Sequence, residues 1–202
     1  MNTARLRIIG ISGSLRQGSH TRQALQIALQ GAQELGAETA ILDLADYNLP
    51  LCDGNKQSDH PGVLRLQSDV QRAQGILLGT PEYHSGVSGV LKNALDWMGF
   101  DEFGGKMLGL VGVSGGSLGA IHALDSLRTV GRALHAWVVP QQASIPQAWK
   151  AFTPDGSLKD AQLEQRLKDV GRQVARFAYL HTDQQIQKFV ELWEKAPTNP
   201  GG

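Results

Sequence analysis

The sequence predicts an α/β fold: a three-layer sandwich with a five-stranded parallel sheet of order 2-1-3-4-5 and helices on both faces. Three observations carry that expectation. Five short apolar runs alternate with segments of helical period, and each parallel crossover needs a connection long enough to hold a helix. The runs are continuously apolar, as strands buried on both faces are. The 24 glycines among 202 residues exceed the usual share of about 7%, and many of them follow the runs, where such sheets bind ligands.

Leu6–Ile11 is the first strand, ending in the small polar stretch Ser12–Ser19. From His20 to Leu35, Ala24, Leu25, Ala28, Leu29 and Ala32 recur at three- and four-residue spacing, and Gly36 stops this helix. Ala40–Leu42 is the second strand; Leu44–Pro61 is a loop; Val63–Ala73 is a helix with Leu66 and Val70 inward. Gly75–Gly79 is the third strand, followed by Thr80–Val87 and a helix over Ser88–Trp97. Met107–Val113 is the fourth, followed by Ser114–Gly119 and a helix over Ala120–Leu134. Ala136–Val139 is the fifth, stopped by Pro140, and Ser144–Gly156 is an irregular connection. Leu158–Leu180 is a long amphipathic helix. Residues 1–180 form one domain. Residues 181–202 add a helix and tail whose Ile186, Phe189, Val190 and Trp193 make one apolar stripe, packing either on this domain or on a second subunit.

Composition excludes several classes. Nineteen basic against nineteen acidic residues give zero formal charge without a basic run, which argues against nucleic acid and membrane surfaces as partners. No apolar stretch approaches the roughly 20 residues of a membrane span, and no signal peptide precedes the first strand; a cytoplasmic protein is expected. Cys52 is the single cysteine, and His and acidic residues do not fall at metal-ligand spacing, so neither a disulfide framework nor a metal is expected.

The loops carry the chemistry. In Ser12–Thr21, glycines allow close backbone approach and hydroxyls supply donors. Arg16 adds a forked cation, beside a helix N-terminus that favours phosphate. Ser19 or Thr21 could instead simply cap the helix. Neither G-x-G-x-x-G nor the P-loop pattern fits these loops. In Pro81-Glu82-Tyr83-His84, Tyr83 and His84 offer flat faces at the ligand edge. A phosphate at one end and a flat ring at the other describe a mononucleotide such as FMN. Gly112-Val113-Ser114-Gly115-Gly116 matches G-x-S-x-G between strand and helix, so a serine hydrolase using Ser114, Asp155 or Asp160, and His181 is a rival reading. Under the flavin reading, the same glycines let backbone N–H groups reach the ring's pyrimidine edge.

The motif Gly13-Ser14-Leu15-Arg16-Gln17-Gly18-Ser19-His20-Thr21, with Pro81-Glu82-Tyr83-His84 running into Gly89-Val90-Leu91-Lys92-Asn93-Ala94-Leu95-Asp96-Trp97, resembles the NADPH-dependent FMN reductase family of flavodoxin-like quinone, chromate and azo-dye reductases. The resemblance spans residues 5 to 145. It implies that Ser14, Arg16, Ser19 and Thr21 bind the FMN phosphate, that Pro81, Glu82, Tyr83 and His84 line the isoalloxazine, and that Ser114, Gly115 and Gly116 approach its pyrimidine end. The family commonly has Asn at the positions of Thr21 and His84. It implies a flavodoxin-like enzyme in which hydride passes from NADPH or NADH through FMN N5 to quinones or similar two-electron acceptors. A homodimer or homotetramer is implied, with Lys92–Trp97 a packing and interface helix. A flavodoxin-like electron carrier is a further alternative. No 2′-phosphate cluster can be isolated in the sequence, though Arg16 or Arg128 could contribute to one if the fold brings them near.

Overall fold

The computed structural model describes residues 6–55 and 58–182, together with Lys188, Glu191, Leu192 and Lys195. The stripe of Ile186, Phe189, Val190 and Trp193 lies outside the described residues. In chain order the elements are β1 (Arg7–Ser12), α1 (His20–Gln33), β2 (Glu38–Asp43), α2 (Pro61–Gln71), β3 (Gly75–Tyr83), β4 (Gly86–Val87) and α3 (Gly89–Asp96). There follow α4 (Phe100–Phe103), β5 (Met107–Val113), α5 (Ile121–Ala133), β6 (Trp137–Ile145), α6 (Ala148–Ala151) and α7 (Ala161–His181).

The parallel strands run in the order β2-β1-β3-β5-β6, and two-residue β4 pairs antiparallel with the end of β3. The order of the five parallel strands is the expected one; β4 is the addition. Alternation along the strands splits the core into two layers. Ile8, Leu77 and Val111 face α1 and α7, meeting Leu25, Ala28, Val170 and Val174. Ile9, Ile11, Ile76, Leu78 and Leu110 face the other way, toward Leu66 and Val70 of α2, Leu91 and Leu95 of α3, and Leu124 and Leu127 of α5. On the first face α1 and α7 cross at backbone contact: a Cβ at Gly171 would overlap the Ala28 carbonyl oxygen. Glu34 closes the rim of that crossing by accepting from Arg172 Nε at 2.8 Å.

Three strands run further than the sequence pattern suggests, the second by reaching Glu38 and Asp43. The third takes in Pro81, because its last rungs need no donor there: Pro81 pairs in register with Val113 while the chain is already turning into β4. The fifth does not stop at Pro140. It is an edge strand, and it bulges: Leu108 pairs with Val138 but Leu110 with Gln142, so two residues of β5 span four of β6. Arg128 from α5 bonds this bulge through Nη1 to Val139 O at 3.3 Å, Nη2 to Pro140 O at 2.8 Å and Nε to Gln142 Oε1 at 2.7 Å. Its guanidinium is thus bonded within the fold.

Candidate functional site

The loops after β1, β3 and β5 leave the carboxyl edge of the sheet side by side, and the first two are bonded to each other. Gly13 N–H donates to Gly79 O at 2.8 Å. The Ser88 hydroxyl, fully buried, donates to Gly13 O at 2.7 Å and accepts from Leu91 N–H at 3.2 Å, capping α3. Thr80 Oγ1 accepts from Ser88 N–H at 3.1 Å. A Cβ at Gly13 would stand 2.7 Å from Leu91 Cβ and 2.9 Å from Gly79 O, so only glycine lets the first loop lie this close to α3. Thr80 and Ser88 are positioning residues the sequence reading passed over. A serine just before the helical period of Gly89–Asp96 was their available signal.

At one end of the rim stand Ser14, Arg16, Ser19 and Thr21. Ser19 caps α1, its hydroxyl accepting from Arg22 N–H at 3.4 Å. Thr21 is buried with its methyl toward Gly79. Ser14 is buried and receives Arg16 N–H at 3.4 Å. Arg16 is exposed, and among the described residues its guanidinium makes no ion pair. The first turn of α1 carries no acidic side chain, so its positive end is unneutralised and suits an anion.

At the other end, Tyr83 and Gly86 pair across a two-residue hairpin whose central residues, His84 and Ser85, sit at φ 50° and 61°. Both central residues of a type I′ turn need positive φ, which Asn adopts more readily than His. The turn holds Tyr83 and His84 exposed at the rim, with Pro81 buried behind them. Glu82 is turned elsewhere: its Oε2 accepts from Ala123 N–H at 2.9 Å, capping α5, whose own N-cap residue Ala120 supplies no side chain. Facing the hairpin, Ser114 Oγ accepts from Gly116 N–H at 3.0 Å. Among the described residues Gly115 N–H makes no hydrogen bond, and a Cβ at Gly115 would meet nothing within 4 Å. No protein neighbour demands glycine there, so the open space suits a ligand edge. Behind this loop Gln147 N–H donates to Gly116 O at 3.0 Å and Ala148 N–H to Ser114 O at 2.9 Å, bringing α6 onto the rim.

The hydrolase constellation does not assemble. Ser114 is not at positive φ, as a strained nucleophile elbow requires, and its hydroxyl is spent on Gly116. Asp160 caps α7 through Gln162 N–H at 2.8 Å, Asp155 holds the turn at Ser157, and His181 Nδ1 lies 3.0 Å from Phe177 O. Among the described residues no cluster of three His, Cys or acidic side chains is placed to hold a metal. Cys52 is half-buried, its N–H donating to Asn93 Oδ1 at 2.8 Å, and Asn93 and Trp97 both donate to Pro50 O at 2.9 Å. The α3 helix therefore packs the loop after β2, in keeping with a structural role for Lys92–Trp97.

A cation without an ion pair and a helix start without an acidic side chain at one end, with an exposed aromatic turn and an open glycine backbone at the other, fit a phosphate-bearing planar ligand such as FMN. Comparison with known proteins points the same way. The family model described as NADPH-dependent FMN reductase matches residues 6–150. The NADPH-dependent FMN reductase ArsH of Shigella flexneri is 34% identical over 180 residues, covering 87% of this chain and 69% of that protein. An NADPH azoreductase of a Bacillus species is 37% identical over 142 residues, covering 69% and 76%. Among solved structures, the NAD(P)H:(acceptor) oxidoreductase FerB of Paracoccus denitrificans superposes with TM-score 0.65 at 28% identity, covering 88% of this chain and 99% of that one. An archaeal flavodoxin, at 12% identity and TM-score 0.59, shares the fold.

Proposed function

From the premise that this chain belongs to the NADPH-dependent FMN reductase family, we propose that the rim formed by its first, third and fifth strand ends is where FMN, the NAD(P)H donor and the acceptor meet. The chain is an FMN-dependent NAD(P)H oxidoreductase with a flavodoxin-like fold. When bound, FMN supplies the two-electron chemistry that links NAD(P)H to an acceptor. Arg16, Ser14 and the start of α1 hold the phosphate, with Ser19 and Thr21 shaping that turn more than touching it. Tyr83 and His84 flank the ring, and Pro81 and Glu82 fix the hairpin that presents them. Gly115 N–H is the donor that would serve the ring's polar edge, where a preorganised dipole would favour negative charge; Ser114 and Gly116 hold it in place. The acceptor is a quinone or similar planar two-electron oxidant entering over the exposed Tyr83–His84 turn.

The observation that carries this reading is the placing of three loops along one sheet edge, where the groups without a partner among the described residues include the Arg16 guanidinium and Gly115 N–H. Among the described residues no helix is long and apolar enough to cross a membrane, and we place the protein in the cytoplasm as a homodimer or homotetramer. The test is the absorbance of purified protein reconstituted with FMN, before and after anaerobic NADPH, followed by a quinone. Bleaching of the flavin bands and their return with quinone is expected. Arg16→Ala should weaken FMN binding roughly tenfold or more, the loss of one charge-assisted contact. A protein that fails to bind FMN, or whose bound FMN is not bleached by NADPH, would overturn the reading. Unchanged FMN affinity in Arg16→Ala would remove the phosphate assignment.

A further inference from the structure

We infer that the groove between the loop after β5 and the start of α7 receives the adenosine 2′-phosphate end of NADPH, with Arg166 as the residue that distinguishes NADPH from NADH. The inference rests on the reading of the chain as an NAD(P)H-dependent reductase and assigns a specificity residue to it.

Two adjoining hollows, of about 310 and 400 Å³, meet at Gln162 and Arg166. The first opens directly from the rim. Its walls include Leu118 and Gly119 of the loop after β5, Ile121 at the start of α5, Pro146 after β6 and Leu163 of α7. Leu118 is 79% exposed and Ile121 49%, which gives a base an apolar surface next to the ring site. Arg166 stands where the hollows join. It is exposed, and among the described residues its guanidinium makes no ion pair or hydrogen bond. That sets it apart from arginines whose chemistry is used within the fold: Arg22 pairs with Asp43 and Arg172 with Glu34, while Arg128 bonds the β6 bulge.

Two carboxylates, Asp160 and Asp169, line the hollows beside Arg166, and both are hydrogen-bonded to other groups. Asp160 accepts Gln162 N–H at 2.8 Å and Leu163 N–H at 3.3 Å, and Asp169 is bonded to Arg172 Nη1 at 2.6 Å. Glu164, two residues before Arg166, pairs with Lys168 at 2.8 Å. Around Arg166 the remaining polar lining is neutral: the amides of Gln141, Gln162 and Gln165. A guanidinium fork with no partner among the described residues, beside amide donors and two carboxylates already hydrogen-bonded elsewhere, matches a phosphate monoester on an adenosine. NADH carries a hydroxyl in place of that phosphate and gains nothing from Arg166.

Isothermal titration of the FMN-loaded protein with adenosine 2′,5′-bisphosphate, 5′-AMP and inorganic phosphate tests this directly. The bisphosphate should bind more tightly than 5′-AMP, and Arg166→Ala should weaken the bisphosphate roughly tenfold or more while Arg166→Lys keeps part of the affinity. In turnover, the ratio of KM for NADPH to KM for NADH should rise by a similar factor in Arg166→Ala. Circular dichroism and FMN content of the variant should match the parent. Equal bisphosphate affinity in parent and variant would overturn the inference, as would a parallel loss for bisphosphate and 5′-AMP. So would an Arg166-dependent affinity for inorganic phosphate as strong as for the bisphosphate, which would make this a general anion site. A failure of the reductase reading is seen separately, as FMN that does not bind or is not bleached, and the nucleotide titration still reports on the groove.

Discussion

His84 shows how a residue's conformation and its chemistry can be confused. Its ring is exposed at the rim, but what the hairpin requires of position 84 is a left-handed backbone, at φ 50°. An L-residue with a full side chain pays roughly 1 kcal/mol or more for that region, whereas Asn tolerates it. His84→Asn should therefore raise stability by up to about 1 kcal/mol, measured as a higher midpoint in urea at matched FMN content. A lower midpoint would mean that the imidazole makes a stabilising contact beyond the turn. The sequence made His84 visible as a candidate ligand contact. It did not make the turn visible, because His-Ser lacks the Asn-Gly signature of a type I′ hairpin.

At the scale of elements, the α1–α7 crossing is where backbone geometry is least forgiving. A methyl at Gly171 would overlap Ala28 O and come within 2.8 Å of Ala28 C and 3.2 Å of Ala32 N, so the two helices must separate. Gly171→Ala should cost about 1–3 kcal/mol of stability, in the range of overpacking in a closed core. Gly89→Ala is the control: a Cβ there meets nothing within 4 Å, and in the first turn of α3 the change should be neutral or slightly stabilising. Equal midpoints for the two variants in chemical denaturation would refute this account of the crossing. The helices themselves were legible from their apolar spacing. Their closeness was not, since Gly31, where a Cβ would stand 2.0 Å from Lys168 O, and Gly171 are 140 positions apart, and a glycine within a helix reads only as a weak helix former.

For the molecule as a whole, the pH dependence of stability should show a rise and then a fall at alkaline pH. Lys106 Nζ donates to Val70 O at 2.8 Å and Gln71 O at 2.9 Å, closing the end of α2. Burial lowers its pKa from 10.5 to about 8, against a smaller opposing pull from Glu102. Between those values the unfolded chain holds a proton that the folded one has released, so stability rises with pH from about 8 toward 10. The Tyr47 hydroxyl, donating to Asp69 Oδ2 at 2.8 Å, is pushed well above its ordinary 10.0 by burial and then by Asp69. Above pH 10 the unfolded phenol ionises while the folded one does not, and stability falls again. Urea midpoints across pH 7 to 11 check this. Lys106→Met should remove the rise and leave the fall, and a rise that persists in that variant would assign it to another group.

The sequence by itself determined the succession of the five parallel strands and the longer helices between them, and with it the edge at which three loops meet; β4, α4 and α6 were not legible in it. Burial on two faces writes continuous apolar runs such as Ile76-Leu77-Leu78, and one buried face writes helical spacing. Both are properties of neighbouring residues. Only the tertiary structure decided what the polar groups do. Glu82 caps α5 from 41 positions away, Arg128 bonds a bulge, the Ser114 hydroxyl holds Gly116 N–H, and Arg16 and Arg166 alone among these remain available. A carboxylate, hydroxyl or guanidinium offers the same hydrogen bonds to a ligand as to a backbone, and which one receives them depends on partners that folding brings near.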